Sequence, residues 1–337
     1  MKQYSSSTTG ARFSAAADFL GNGAVEVPVF ESEILDMIRR ESVALQRFNH
    51  VPANGDPHRY FEQTAIGTAQ FDNKRSLSPT PSGPTRVERS AVIKCIDNQT
   101  NITLYDKNLT KQQGQFAQVV AKDIEDTASA VVVLSAQSIW DGNDTSLLTP
   151  TTNEYVGALT QIGDGGQIST IAPGSSIIDG LKAQVSQMMA NQTYKVKPNI
   201  IYLNPVLGNA LDAEAKAAQI TFGKTEVVAG VQVDTLKTQA GELPIITEPY
   251  IPSDTTAKYG FDAPPDDYSN YYAVILSEPL IEMPFVYDEI ENPHPRIYQL
   301  GLVNSLNGQF VAVLFDAIIV KAAAYAHSLV AVQLPTL

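Results

Sequence analysis

The side chains that most often carry chemistry are few in this sequence and form no known pattern. The four histidines stand at positions 50, 58, 294 and 327. None has the H-E-x-x-H or H-x-H spacing that places two imidazoles on one metal ion. The sequence also contains no G-x-S-x-G, no Walker phosphate loop and no G-x-G-x-x-G after a predicted strand. We therefore expect no catalytic residues, no metal site and no cofactor.

Two Gly- and Asp-rich segments and one cysteine are the remaining candidates for a site. Residues 141–144 (DGND) and 163–166 (GDGG) lack the twelve-residue pattern of a calcium loop, so we interpret both as turns. Cys95 follows Lys94 on a predicted strand. Because neighbouring side chains of a strand point to opposite faces, the lysine is not expected to activate the thiol.

Composition narrows the class of protein. A chain of 337 residues with 44% hydrophobic and 18% charged residues is typical of a globular protein with a large core. A net charge of −13 disfavours nucleic-acid binding, which needs a basic surface. The single cysteine excludes an internal disulfide and fits a reducing cytosol. The N-terminus lacks the apolar core of a secretory signal, and charges interrupt the most apolar run, 310–334, so we expect no membrane span.

The element that must organise the chain is a long helix predicted over Gln115–Trp140. Apolar residues recur there every three or four positions: Phe116, Val120, Ile124, Ala128, Val131, Leu134 and Ile139. At about 1.5 Å per residue the helix would be roughly 39 Å long. A half-apolar helix of this length needs a sheet or another long segment to lie along.

A long two-stranded excursion is predicted over Arg59–Lys94. Two arms that favour extended structure flank a centre, SLSPTPSGPT, with three prolines and a glycine. Residues 71–95 carry five basic side chains (Lys74, Arg75, Arg86, Arg89 and Lys94) against Asp72 and Glu88. This charge asymmetry suggests that the hairpin lies on an acidic surface of another copy, and residues 248–292, with ten acidic residues and one lysine, could supply that surface. A solvated hairpin and a solvated acidic face are the simpler interpretations.

The remaining segments give an α+β pattern. A polar arm of about 25 residues precedes a helix that runs from Pro28 to Phe48 and includes Ile34 and Ile38. Residues 145–173 are predicted to be connecting loops. A helix capped by Ser175 or Ser176, a buried strand at 198–205, and a helix at 206–219 follow. Strands are predicted at Thr225–Val233, Leu243–Thr247 and Tyr271–Leu276, and the end of the chain is predicted to return to the core as strands.

The order of these parts resembles the major capsid proteins of tailed double-stranded DNA bacteriophages, which have the HK97-type fold. In this sequence the order is a polar arm, a short helix, a basic hairpin, a long helix and an α+β body whose last strands return to the core. The resemblance implies an N-arm at 1–48, an E-loop at 49–98 and a P-domain at 99–150 with its spine helix at 115–140. It also implies an A-domain at 151–280 and a return to the P-domain at 281–337.

The resemblance further implies the function and partners of the chain. The chain would self-assemble, first as a procapsid, into hexamers and pentamers of an icosahedral phage head that encloses double-stranded DNA without sequence-specific binding. Assembly would take place in the bacterial host cytoplasm with a portal, a separate scaffolding protein and, in some shells, a decoration protein. The candidate contact residues between subunits are Lys74, Arg75, Arg86, Arg89, Ile34 and Ile38. The alternatives are an encapsulin-like shell around a cargo enzyme and an α+β hydrolase with an unrecognised site.

Overall fold

A computed structural model describes residues 42–336, except 76, 79, 104, 106–107, 109–118, 192–193, 195, 220–221, 229–230, 289–290 and 304–306. The polar arm and most of the helix predicted from Pro28, including the contact candidates Ile34 and Ile38, lie outside the described residues. So do the first four residues of the predicted long helix.

The described part of the chain contains both helices and strands. The helices are α1 (Val43–Arg47), α2 (Val119–Ser138), α3 (Ala158–Asp164), α4 (Ile177–Met189), α5 (Pro205–Ala217) and α6 (Ala323–Ala326). The strands are β1 (Asn49–Pro52), β2 (His58–Ala65), β3 (Thr85–Ala91), β4 (Lys94–Thr103), β5 (Ile168–Ile171), β6 (Ile200–Leu203), β7 (Gly223–Val228), β8 (Val231–Thr238), β9 (Gly241–Thr247), β10 (Ser253–Asp254), β11 (Tyr268–Leu276), β12 (Ile281–Phe285), β13 (Arg296–Val303), β14 (Asn307–Asp316), β15 (Ile319–Val320) and β16 (Ser328–Pro335). None of the helices in the described part of the chain is long and apolar enough to cross a membrane.

The long helix α2 lies along a six-stranded sheet. Strand β14 is central: it pairs antiparallel with β4 from Asn307↔Thr103 to Asp316↔Lys94 and with β13 on its other side, and β12, β1 and β15 extend the sheet. Ile96 and Leu314 point to the side on which α2 contributes Val131, and all three join one buried cluster. The helix ends at Ser138, two residues before the predicted end, and Ile139 and Trp140 continue as a buried turn.

An eight-stranded sheet forms the second layer, in the order β5-β16-β11-β6-β9-β8-β7, with β10 beside β11. Strand β11 is buried on both faces, and its apolar run Tyr271–Leu276 is typical of such a strand. Ala273 and Ile275 point towards α4 and α5, whereas Tyr272 and Val274 point into the core shared with Trp140. The core with Trp140 is the same cluster that contains Val131, Ile96 and Leu314, so it joins the two sheets.

The sequence located some of these elements and missed others. Ser176 caps α4 by accepting a hydrogen bond from the amide of Asp179, as predicted. The prediction of loops over 145–173 is wrong, because α3 and β5 lie there. Helix α3 begins after Gly157, which offers no capping side chain. A Cβ on Gly157 would lie 2.4 Å from the carbonyl oxygen of Trp140, so close packing requires glycine at this position. Glycine does not mark the start of a helix as a capping Ser, Thr, Asp or Asn does.

The predicted hairpin is present as β2 and β3, which pair antiparallel from His58↔Ala91 to Ala65↔Thr85. The described residues between them form an exposed tip, of which only Gly67 is half-buried. Lys94, however, does not belong to the hairpin. It begins β4, is buried, and donates a hydrogen bond to Asp144 Oδ2 at 2.7 Å. Strand β4 also crosses the limit at residue 98 that we expected for the E-loop.

Candidate inter-subunit surface

The two faces of the hairpin have different surroundings. Strand register places Tyr60 opposite Arg89 and Gln63 opposite Arg86. Since side chains alternate along a strand, Arg86 and Arg89, three residues apart, lie on opposite faces. We call the face with Tyr60, Glu62, Val87 and Arg89 the body face. The outer face carries Arg59, Phe61, Arg86 and Glu88.

This division separates the two arginines that the sequence had grouped. Arg89 Nε donates to Glu62 Oε2 at 3.2 Å, so it has a partner within its own hairpin. Arg86 is exposed, and none of the described residues forms an ion pair with it. Of the two, only Arg86 is therefore available to a neighbouring molecule. The odd spacing of the two residues within a predicted strand was a signal that could have shown this.

The charge left over on the hairpin is concentrated towards its tip. Residues 58–91 contain five arginine or lysine residues and three carboxylates, a net charge of +2. Near the root, Arg59 pairs with Glu88 at 3.2 Å, and Arg89 pairs with Glu62. The remaining cations are Arg86 and the exposed tip residues Lys74 and Arg75. The tip is thus the cationic end of an acidic protein.

Large apolar side chains accompany this charge. Phe61 is 70% exposed, Ile66 83% and Leu77 76%, and Phe71 is fully exposed. Single exposed apolar residues are common in soluble proteins, but several on one projecting element mark an interaction surface. The hairpin combines cationic and apolar groups in a way that suits a partner with acidic and apolar groups.

The six-stranded sheet offers such a surface on the face that points away from α2, which we call the outer sheet face. Register places Arg296, Val313 and Asp97 side by side across β13, β14 and β4. Tyr298 and Phe315 lie on the same face and are each more than 40% exposed. Val313, Tyr298 and Phe315 thus form an apolar centre between Asp97 on β4 and the loop that carries Asp288. Asp288 pairs with Arg296 at 3.7 Å.

The acidic stretch 248–292 does not form the single acidic face that we considered. Glu248 is buried and accepts hydrogen bonds from the start of α1. Glu278 binds Arg47 through both carboxylate oxygens, at 2.8 and 2.6 Å, and Glu282 binds Lys321 at 2.5 Å. These three carboxylates hold the fold together. Among the described residues of the stretch, the exposed acidic ones are Asp262, Asp266, Asp267, Asp288 and Glu291.

Two further polar pairs link segments of the body, one half-buried and one buried. Lys258 Nζ bonds to Asp141 at 2.8 Å, and the Tyr155 hydroxyl donates to Asp316. Desolvation, followed by the charges of neighbouring carboxylates, raises the pKa of the Cys95 thiol, which disfavours a reactive thiolate.

One groove on the body bears on the hydrolase alternative. It measures about 470 Å³, and hydroxyl side chains line most of it: Ser253, Thr255, Thr256, Ser269 and Thr336. The lining includes no histidine, cysteine or lysine, and its one carboxylate, Asp254, lies 3.8 Å from Lys258 Nζ. Within the described residues, no group of three or more His, Cys, Asp or Glu side chains could hold a metal ion.

Comparison with known proteins gives similarity in structure only. No protein-family model and no curated protein sequence matches the chain. The capsid of a native GTA particle superposes with a TM-score of 0.61 at 12% identity, over 95% of this chain and 99% of that one. A chain of Gordonia phage Cozz gives 0.60 at 12% identity over 92% of both chains. The holo-SrpI encapsulin complex from Synechococcus elongatus PCC 7942 gives 0.56 at 11% identity over 94% of both chains.

These similarities extend over 92–95% of the chain. At 11–12% identity they establish the fold and leave the activity to be argued separately. The chain therefore adopts the α+β HK97-type capsid fold that its sequence resembles.

Proposed function

We propose that this chain is the major capsid protein of a tailed phage, and that its work is self-assembly rather than catalysis. The observation that carries the proposal is the hairpin. It projects cationic and apolar side chains that its own body leaves exposed. An isolated two-stranded hairpin is marginal in water, so a surface of this kind is useful when another copy covers it. Hexamers and pentamers of the chain would form an icosahedral shell.

The contact that we propose joins the hairpin of one copy to the outer sheet face of the next. Phe61 and Phe71 would cover Tyr298 and Phe315, while the cations of the tip would face the carboxylates around that apolar centre. Apolar burial would supply most of the affinity. The charges would set the register of the contact and exclude wrong neighbours. Ile34 and Ile38 remain a prediction for a second contact, made by the N-arm.

The proposed content of the shell is double-stranded DNA, and the proposed partners are a portal and a scaffolding protein. A net charge of −13 supports this content, because an acidic wall holds phosphates without binding them tightly. The likeness to the encapsulin complex supports a second candidate, a compartment shell that holds a cargo enzyme. Particles purified from the native source distinguish the two: nuclease-protected DNA of uniform length indicates a phage head, and a co-purifying enzyme without DNA indicates a compartment.

Reversing the charge of Arg86 tests the contact. We expect the wild-type chain, expressed with its scaffolding protein if it needs one, to give closed shells by light scattering and negative-stain microscopy. Arg86→Glu should give folded, unassembled chains with an unchanged circular dichroism spectrum. Arg86→Lys keeps the charge, and Lys216→Glu reverses an exposed lysine on α5 outside the hairpin; both should assemble. Shells of normal yield from Arg86→Glu would contradict the contact, and a wild-type dimer or tetramer stable at every concentration would contradict the shell.

A further inference from the structure

The root of the hairpin, the part of β2 and β3 next to the body, is fixed to the body by a polar contact that the sequence did not predict. Glu62 lies on the body face, and its side chain is 19% exposed, compared with 48% for Glu88 on the outer face. Its Oε2 accepts the hydrogen bond from Arg89, and its Oε1 accepts one from the backbone amide of Ala322 at 2.8 Å. One carboxylate thus joins both strands of the hairpin to a segment 260 residues away.

The body supplies this amide from a constrained backbone. Ala322 has a φ of +54°, in the left-handed region that residues other than glycine rarely adopt, and it immediately precedes α6. Its carbonyl accepts hydrogen bonds from the amides of Tyr325 and Ala326, so both of its backbone polar groups are engaged. The position of the amide that meets Glu62 is therefore set by α6.

Residues on either side of Glu62 on β2 make further contacts with the body. Tyr60 packs with Ala91 and Ile319, and Lys321 Nζ lies 5.4 Å from the centroid of its ring. The backbone carbonyl of Thr64 accepts a hydrogen bond from the hydroxyl of Tyr194 at 3.3 Å. Tyr60, the Glu62 carboxylate and the Thr64 carbonyl thus hold β2 to the body at three points along the strand.

We propose that Glu62 is a positioning residue that fixes the direction in which the hairpin leaves the body, and through it the curvature of the shell. This inference rests on the proposed function. About ten residues separate Glu62 from the tip, a reach of roughly 33 Å in extended chain. A rotation of about 10° at the root would move the tip by about 6 Å, enough to shift it off its place on the next subunit. Glu62 is the charged member of the root that contacts the body directly.

The experiment compares two carboxylates that each pair with an arginine across the hairpin. Glu62→Ala removes the contact with Ala322, whereas Glu88→Ala removes only the pair with Arg59 on the outer face. Amide hydrogen exchange of residues 58–65 and 85–91 should be about tenfold faster in Glu62→Ala, the effect expected for losing a hydrogen bond to a charged group. Glu62→Gln retains an acceptor for the Ala322 amide and should restore most of the protection. Glu88→Ala should exchange like wild type.

Assembled particles supply the second measurement. Glu62→Ala should give shells of altered or mixed diameter by electron microscopy, while Glu88→Ala and Glu62→Gln give the wild-type diameter. Equal exchange and equal diameters for Glu62→Ala and Glu88→Ala would overturn the positioning role. If wild type forms no shell under any condition, the proposed function fails, and so does the inferred control of curvature; the exchange measurement would then report only on the root contact.

Discussion

Replacing Asp316 by asparagine should change how the stability of the subunit depends on pH. Asp316 ends β14, is 2% exposed, and accepts a hydrogen bond from the hydroxyl of Tyr155. Burial raises the pKa of Asp316 to about 7, and the hydrogen bond from Tyr155 opposes only part of this shift. Lys94 begins the paired strand but donates to Asp144 rather than to Asp316. The folded protein therefore keeps this carboxyl protonated well above its ordinary range.

The size of the effect of Asp316 on the free energy of unfolding follows from the difference between its folded and unfolded pKa values. An unfolded aspartate titrates near pH 3.9, about 3 units below the folded value, and one unit corresponds to about 1.4 kcal/mol. Between these values the folded state binds more protons than the unfolded state, so the free energy of unfolding falls as pH rises. The contribution of Asp316 is fully present below about pH 4. Up to about 4 kcal/mol of it is lost by about pH 7.

His327 has the opposite effect over much of the same range. It is fully buried, and desolvation lowers the pKa of its imidazole to about 4. Its Nδ1 accepts from the amide of Ser277 at 3.4 Å, so its Nε2 donates to the carbonyl of Lys321 at 3.1 Å. Because the unfolded histidine titrates near pH 6.5, its contribution rises by about 3 kcal/mol between pH 4 and 6.5. In the wild type the opposite effects of Asp316 and His327 on the free energy of unfolding therefore nearly cancel as pH rises.

Urea unfolding of the unassembled chain between pH 4 and 8 measures this balance. Trp140 is the only tryptophan and is fully buried, so its fluorescence reports global unfolding. We expect Asp316→Asn to match wild type near pH 4 and to become progressively more stable than wild type up to about pH 7. His327→Gln should instead lose stability with rising pH more steeply than wild type. A difference between Asp316→Asn and wild type that stays constant from pH 4 to 8 would refute the reasoning.

Two further substitutions test how the end of α2 is connected to the sheets. Lys94→Met leaves the buried carboxylate of Asp144 without its cation and should lower the free energy of unfolding by about 3–5 kcal/mol in urea; a loss below about 1 kcal/mol would contradict the buried pair. Gly142→Ala places a Cβ 2.2 Å from the carbonyl oxygen of Tyr155 and should cost about 1–3 kcal/mol, measured by thermal unfolding. Its control, Gly83→Ala at the hairpin tip, has no atom within 4 Å and should leave the melting temperature unchanged.

The elements that the sequence predicted are those with a local signal. Ser176, predicted as a cap, does cap α4, and the apolar residues of α4 and α5 have the helical period. The prolines of the tip and the extended arms were enough to predict the hairpin. Helix α3 lacks a capping side chain, and the role of Lys94 depends on Asp144, 50 residues further along the chain. Neither the start of α3 nor the role of Lys94 is marked by the residues next to it in sequence, so periodicity and turn chemistry could not predict either one.

The basic residues of the hairpin have roles that a count of charges in the sequence could not distinguish. Counting charges placed Lys94, Arg89 and Arg86 in one group, but the structure gives them separate roles: Lys94 belongs to the core, Arg89 binds Glu62, and Arg86 faces solvent. Strand alternation alone could have separated Arg86 from Arg89. The role of Glu62 could not be found in this way, because its partner is the backbone amide of Ala322, which any residue could supply. The net charge that favours a neighbouring copy is therefore smaller than the sequence count, but it lies at the end of the hairpin that reaches furthest.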